Sequence, residues 1–202
     1  MPSNSAANKL VSCWILECEN AFTVLNGDLL DLSIMDSVGD VYGAEFQPRD
    51  QLWRVRDVFR PLAQEGRILG VTSGNHEERI YKKTGIDVME WLADYWGVRE
   101  RYDPDGVLLK IRFGKRPNGK PQVYTAYFTH GTGGGRTKGG KINKLDAMKD
   151  IVLADVYAIG HVHWMTAYQD VYYIPDLRNN TLTTKKRTYV CSGAYLDYGG
   201  YG

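Results

Sequence analysis

Four short polar motifs, each directly behind an apolar run, dictate where the buried strands of this chain must end. They read Asn26-Gly27-Asp28-Leu29-Leu30-Asp31, Gly74-Asn75-His76-Glu77, Thr129-His130-Gly131 and Gly160-His161-Val162-His163. The runs before them are rich in Val, Ile, Leu, Tyr or Phe and read as strands. The polar residues therefore fall where strand gives way to loop, which is where open α/β sheets bind ligands. All four histidines of the chain sit in these motifs, joined by an Asp and an Asn. That is the donor set of a metal site rather than a scatter of core or surface imidazoles.

The order of elements around these motifs sets the fold class. Leu10, Val11, Trp14, Ile15 and Cys18 form a helical stripe over residues 9–20, behind a loop-like stretch from Pro2 to Asn8. Phe22 to Leu25 predicts a strand, followed by a polar connection from Ser33 to about Arg49. Gln51 to Gln64 is an amphipathic helix that Pro61 is expected to kink or shorten. Arg67 to Thr72 predicts the second buried strand, and helical patterns resume over 77–83 and 86–96. From Gly106 the period becomes two. Val107–Phe113 and Gln122–Thr129 read as a hairpin, Lys141–Ile151 as a helix, and Asp155–Ile159 as a strand. Tyr168–Ile174 and Arg187–Cys191 read as strands around a loop from Pro175 to Lys185. The expectation is one α/β domain over residues 1–202, with two mixed sheets packed face to face and flanked by helices.

Bulk properties narrow the partners. The formal net charge is +1, so nothing suggests attachment to nucleic acid or membrane by overall charge. No window approaches the roughly 20 apolar residues that span a bilayer, and the first ten residues do not form a signal peptide. Cys13, Cys18 and Cys191 are odd in number and widely spaced, which predicts buried thiols in a reducing, cytoplasmic setting. The oligomeric state is not encoded in any pattern we recognise.

Chemistry follows from the donor types. Asp28 offers two carboxylate oxygens, Asn75 an amide oxygen, and His130, His161 and His163 imidazole nitrogens. A mixed oxygen and nitrogen set suits Mn, Fe, Zn or Ni. With residues 161–163 extended, both imidazoles of His161-Val162-His163 would share one face. Two cations about 3.5–4 Å apart clamp an in-line displacement at phosphorus and supply an activated hydroxide. His76 is then expected to protonate the leaving oxygen or stabilise phosphoryl charge, not to bind metal. Glu77 either orients His76 or is a first-turn carboxylate at the positive end of a helix. Asp31 is either a helix N-cap or an acceptor behind the ligands. Gly135 to Lys141 has the spacing of a phosphate-cradling loop, but Ile142 stands where Ser or Thr is required. Arg136 and Lys138 in that stretch remain candidates for contacting substrate phosphate.

Taken together, Gly27-Asp28-x-x-Asp31, Gly74-Asn75-His76-Glu77, His130-Gly131 and Gly160-His161-x-His163 resemble the second to fifth motifs of the calcineurin-like metallophosphoesterases. The bacterial and phage members related to DNA-repair exonucleases are the most similar branch. The resemblance implies a four-layer αββα fold and a dinuclear metal centre. Asp28 would bridge the ions, Asn75, His130 and His161 would complete one site, His163 would serve the other, and His76 would be the catalytic histidine. It implies a hydrolase of phosphodiesters or phosphomonoesters, with a nucleic acid or nucleotide among the candidate substrates. The family's first motif, Asp-x-His at the end of the first strand, has no counterpart, since no Asp or His precedes residue 28. We therefore expect a chain truncated at its N-terminus, and at its C-terminus as well, with one firm metal site and one weak one. The alternative is a non-catalytic scaffold or binding module of the same fold with a degraded, one-metal site.

Overall fold

The structure, a computed structural model, describes residues 4–34, 45–115, 117–133 and 137–193. It is a mixed α/β chain with a two-stranded parallel sheet, a five-stranded mixed sheet, and helices. The described residues form two compact units. One holds residues up to Val107 together with 129–132, and the other holds 108–128 and 133–193. The unit boundaries fall inside or beside strands, so composition betrays no linker.

The first unit opens with α1 (Asn4–Glu17), which starts where the sequence suggests a loop. Strand β1 (Thr23–Asn26) lies parallel to β2 (Ile68–Thr72), with Leu25 opposite Val71. Between them, α2 (Pro48–Gln64) buries Val55, Phe59 and Leu62 at helical spacing. Pro61 sits in its last turn without ending it, since the helix runs on to Gln64. Two helices come after β2: α3 (Asn75–Thr84) and α4 (Val88–Tyr95). Asp87 caps α4 by accepting from the amides of Met89 and Glu90, both at 3.0 Å, which satisfies two donors a helix start leaves open. Met89, Leu92 and Ala93 are buried with Ile68 and Val71 in one core that includes Ile15 of α1.

The second unit is built on the sheet order β3-β4-β5-β7-β6, from β3 (Val107–Phe113), β4 (Gln122–Thr129), β5 (Val156–Ile159), β6 (Thr166–Asp176) and β7 (Thr181–Cys191). Helix α5 (Lys138–Ala147) begins three residues before the expected Lys141, capped by Thr137, whose hydroxyl accepts from the Gly140 amide. Of the expected loop from Pro175 to Lys185 only residues 177–180 form a turn, and the rest is paired strand. β6 and β7 run antiparallel from Thr166 opposite Cys191 to Asp176 opposite Thr181. Pro175 is tolerated because β6 is an edge strand, where a missing N–H breaks no ladder. The turn closes through Asp176, whose carboxylate accepts from the amides of Arg178 and Asn179.

The core of this sheet is aromatic. Tyr189 stacks between Tyr157 and Tyr168, with centroids 5.0 and 4.7 Å apart. The three cysteines are free thiols, but only Cys191 is buried, and Cys13 is exposed, against the expectation that all would be buried. Among the described residues no helix is long and apolar enough to cross a membrane.

Candidate functional site

In the first unit, the polar ends of β1 and β2 meet the residues that come after β4. Asn26, the last residue of β1, anchors the arrangement with three bonds. Its amide oxygen accepts from Thr72 at 3.0 Å, its amide nitrogen donates to the Thr129 carbonyl at 2.9 Å, and its own carbonyl faces Nδ1 of His130 at 2.8 Å. Sequence reasoning assigns Asn26 no role. A signal for one exists, since Asn26 is a polar residue closing a strand whose core position, Leu25, is buried.

The Asn26 carbonyl can only accept, so it fixes His130 Nδ1 as the protonated nitrogen. In the neutral ring the lone pair is then on Nε2. That nitrogen lies 3.0 Å from Asp28 Oδ2 and 3.2 Å from Asn75 Oδ1. Three electron-pair donors thus face one another, and His130 is only 4% exposed. A proton on Nε2 or a metal ion would satisfy all three. Burial alone would lower the His130 pKa, but the hydrogen bond and charge of Asp28 outweigh it and raise it. For Asp28 burial raises the pKa, and the bond and charge of His130 bring it below the ordinary value. The mixed oxygen and nitrogen donors fit a transition-metal ion.

Asp28 is held in an unusual posture. Its φ is 51°, in the left-handed region, directly after Gly27 at 72°. A non-glycine residue there costs about 1–3 kcal/mol and persists only where its surroundings enforce it. Oδ1 of Asp28 accepts from the His76 amide at 3.1 Å, one of the open donors in the first turn of α3. The glycines are demanded by closeness. A Cβ on Gly27 would lie 2.6 Å from the Gly74 nitrogen and 2.8 Å from His130 Nδ1, and one on Gly74 would collide with Asp28.

Glu77 supplies much of the enforcement. It is 1% exposed, and its carboxylate accepts from the amides of Asp28 and Gly74, both at 2.9 Å, and of Leu30 at 3.1 Å. Burial, helped by the charge of Asp28, raises its pKa, and the amide donors oppose this. Glu77 therefore clamps the first two motif loops together. Orienting His76 falls to Asp31 instead. His76 Nδ1 lies 3.0 Å from the Asp31 carbonyl and 3.2 Å from its carboxylate, which also accepts from the Ser33 hydroxyl at 2.7 Å.

Asp31 raises the His76 pKa against the opposing effect of burial, and the same bond lowers the pKa of Asp31. Asp31 begins no helix. Its loop is held by Gln51, whose side-chain oxygen accepts from the amides of Asp31 and Leu32, a bond no spacing in the sequence announces.

His161 and His163 belong to the second unit and come after β5. They are not extended. Both have positive φ, 50° and 47°, on either side of buried Val162, whose amide donates to the Gly160 carbonyl at 2.5 Å. A tight turn, not a pleat, sets the directions of the two imidazoles. Among the described residues, five non-glycine residues have positive φ, and Asp28, His161 and His163 are three of them. Such strain concentrates at functional positions. Lys138 is an exposed residue at the start of α5, and Arg136 lies outside the described residues. Comparison with known proteins finds no matching family model, no similar curated protein and no similar solved structure.

Proposed function

We propose that this chain is a metal-dependent phosphoester hydrolase of the calcineurin-like kind. The observation that supports it most is the convergence of Asp28 Oδ2 and Asn75 Oδ1 on a His130 Nε2 whose tautomer a backbone carbonyl sets. In this reading Asp28, Asn75, His130 and His161 hold one divalent ion, and Asp28 with His163 serves a second, more weakly held one. His161 and His163 enter on the strength of motif order. The four-layer arrangement and a cytoplasmic location belong to the same proposal. Divalent ions bound there would polarise phosphoryl oxygens and make water a stronger nucleophile at neutral pH.

The chain's own groups do the rest. Asp31 holds His76 Nδ1, which leaves Nε2 as the nitrogen to present to a leaving oxygen. The Asp31 carboxylate favours the protonated ring, so His76 can donate a proton as the ester bond breaks. Glu77 keeps the Asp28 and Gly74 loops in register, so the donor atoms stay placed between turnovers.

The test uses the chain itself, with manganese uptake followed by calorimetry and hydrolysis by release of 4-nitrophenol from its phosphodiester and phosphomonoester. We expect one firmly held ion per chain and slow hydrolysis. Asp28→Ala and His130→Ala should lose the ion, and His76→Ala should keep it while rate falls by about 10²–10⁴-fold. Two firmly held ions with brisk turnover would overturn the one-site expectation. Metal uptake without any turnover would favour the scaffold reading. No uptake at all would end the proposal.

A further inference from the structure

The overall charge of +1 hides a segregation. Residues 106–145 hold nine of the 25 Lys and Arg and none of the 24 Asp and Glu, where average composition would place about five of each. Five of the nine lie in the hairpin of β3 and β4. Lys110 and Arg112 stand on the exposed face of β3, alternating with half-buried Leu109 and Ile111. Lys115 and Lys120 are exposed in the connection between the strands. None of these four has an ion pair among the described residues. Arg56, Lys82, Lys149 and Arg187, by contrast, each lie within 2.9 Å of a carboxylate. A cluster of exposed cations with no counter-charge is the electrostatic footprint of a polyanion.

Shape narrows the choice of polyanion. Residues 112–115 and 117–121 are all exposed, so the end of the hairpin meets solvent on both faces. Its connection, residues 114–121, holds three cations, two glycines, two prolines and an asparagine, with no large apolar side chain to enter a bilayer. The exposed rings beside it, Phe113 and Tyr124, sit edge to face with centroids 5.9 Å apart. They engage each other rather than stand apart as platforms for unpaired bases. A two-stranded ribbon with cations on its flank and tip matches the major groove of a duplex, which is about 12 Å wide and walled by phosphates. We propose that the end of the β3–β4 hairpin binds double-stranded DNA, with Lys110, Arg112, Lys115 and Lys120 on the phosphates of the major groove.

The probe is a short fluorescein-labelled DNA duplex, followed by anisotropy in EDTA so that metal at the β1–β2 corner plays no part. We expect saturable binding at protein concentrations below about 10⁻⁴ M. The logarithm of affinity should fall with that of salt concentration with a slope of about −3.6, or about 0.9 for each of four phosphates. The single strand should bind at least fivefold more weakly, and neither phosphatidylserine vesicles nor polyglutamate at equal charge should compete. Lys110→Ala, Arg112→Ala, Lys115→Ala and Lys120→Ala together should weaken the duplex at least tenfold while the circular dichroism spectrum is retained. Lys185→Ala with Lys186→Ala, a pair of exposed cations on β7, should change it less than twofold. An equal loss in that pair would overturn the assignment to this hairpin. Absent duplex binding, a slope near zero, an equally bound single strand, or competition by vesicles or polyglutamate would overturn the proposal. Those readings use the unaltered protein, so they stand even where the fourfold variant fails to fold.

Discussion

The corner at the ends of β1 and β2 and the hairpin of β6 and β7 hold their strands in opposite ways. The corner strands have four and five residues, too short for a ladder to fix the loops beyond them. Their ends are held by side chains bonded to distant backbone, as Glu77 is to the amides of Asp28 and Leu30 and Asn26 to the Thr129 carbonyl. The hairpin strands have eleven residues each in continuous register, β7 pairs with β5 in a parallel ladder, and tyrosine rings from the three strands stack across them. Buried hydrogen bonds are directional and costly to leave half made, so they fix positions. Stacked rings bury area and fix little beyond their own planes. Placement is concentrated where donor atoms converge, and area where none do.

Tyr189→Ala should have the largest effect on stability, about 4 kcal/mol, because it empties a fully buried position between two rings. Urea unfolding measures it. At temperatures where the variant stays folded, the corner should keep its manganese affinity, and a large loss would mean the two regions are not separable in this way. Glu77→Ala should cost about 3 kcal/mol by stranding three amides. Unlike the tyrosine variant it should also weaken manganese binding under folding conditions. Full metal affinity in Glu77→Ala would show that Asp28 keeps its posture unaided.

A smaller change tests the same corner more gently. Thr72→Val removes the hydroxyl that Asn26 accepts from at no cost in volume, and should lose about 1 kcal/mol. The smallest effect is expected at Tyr168. Its hydroxyl is buried with no partner among the described residues, so Tyr168→Phe should be close to neutral at pH 7. Burial, with the charges of Asp146 and Asp170, pushes this phenol up from 10.0 to about 12. A pKa raised on folding gives stability that is fully present below 10 and is lost as pH rises through about 12. The wild type should weaken over that interval, and Tyr168→Phe should weaken less. Identical alkaline curves would remove Tyr168 as a cause.

Local pattern carries much of the fold. The glycines of the motifs point to tight turns, and the buried runs to strands, because both signals sit within a few neighbouring residues. The features that escape it depend on partners far along the chain. Glu77 meets Asp28 across 49 residues, and Gln51 meets Asp31 across 20, so spacing cannot show that one clamps loops while the other frees Asp31 to hold His76. The posture of His161 and His163 escapes for another reason. Alternating polarity after a strand suggests continued pleat, whereas the backbone turns left-handed at both. Pro175 misleads in the opposite direction, since a proline reads as a loop until the strand carrying it proves to be an edge.

The bond between the Asn26 carbonyl and His130 joins residues 104 apart. On a ribosome adding about 5–20 residues each second, roughly 5–20 s separate the appearance of the two partners. Thr72 and Glu77 emerge long before His130, so Asn26 and Asp28 can be gripped while the imidazole is still unmade. Assembly of the corner therefore has a calendar, with the loop clamp first and the nitrogen donor last. Closure over so long a stretch of chain is also the slow kind of contact. On the proposed reading, metal capture at this corner would accordingly trail the burial of Glu77 rather than guide it.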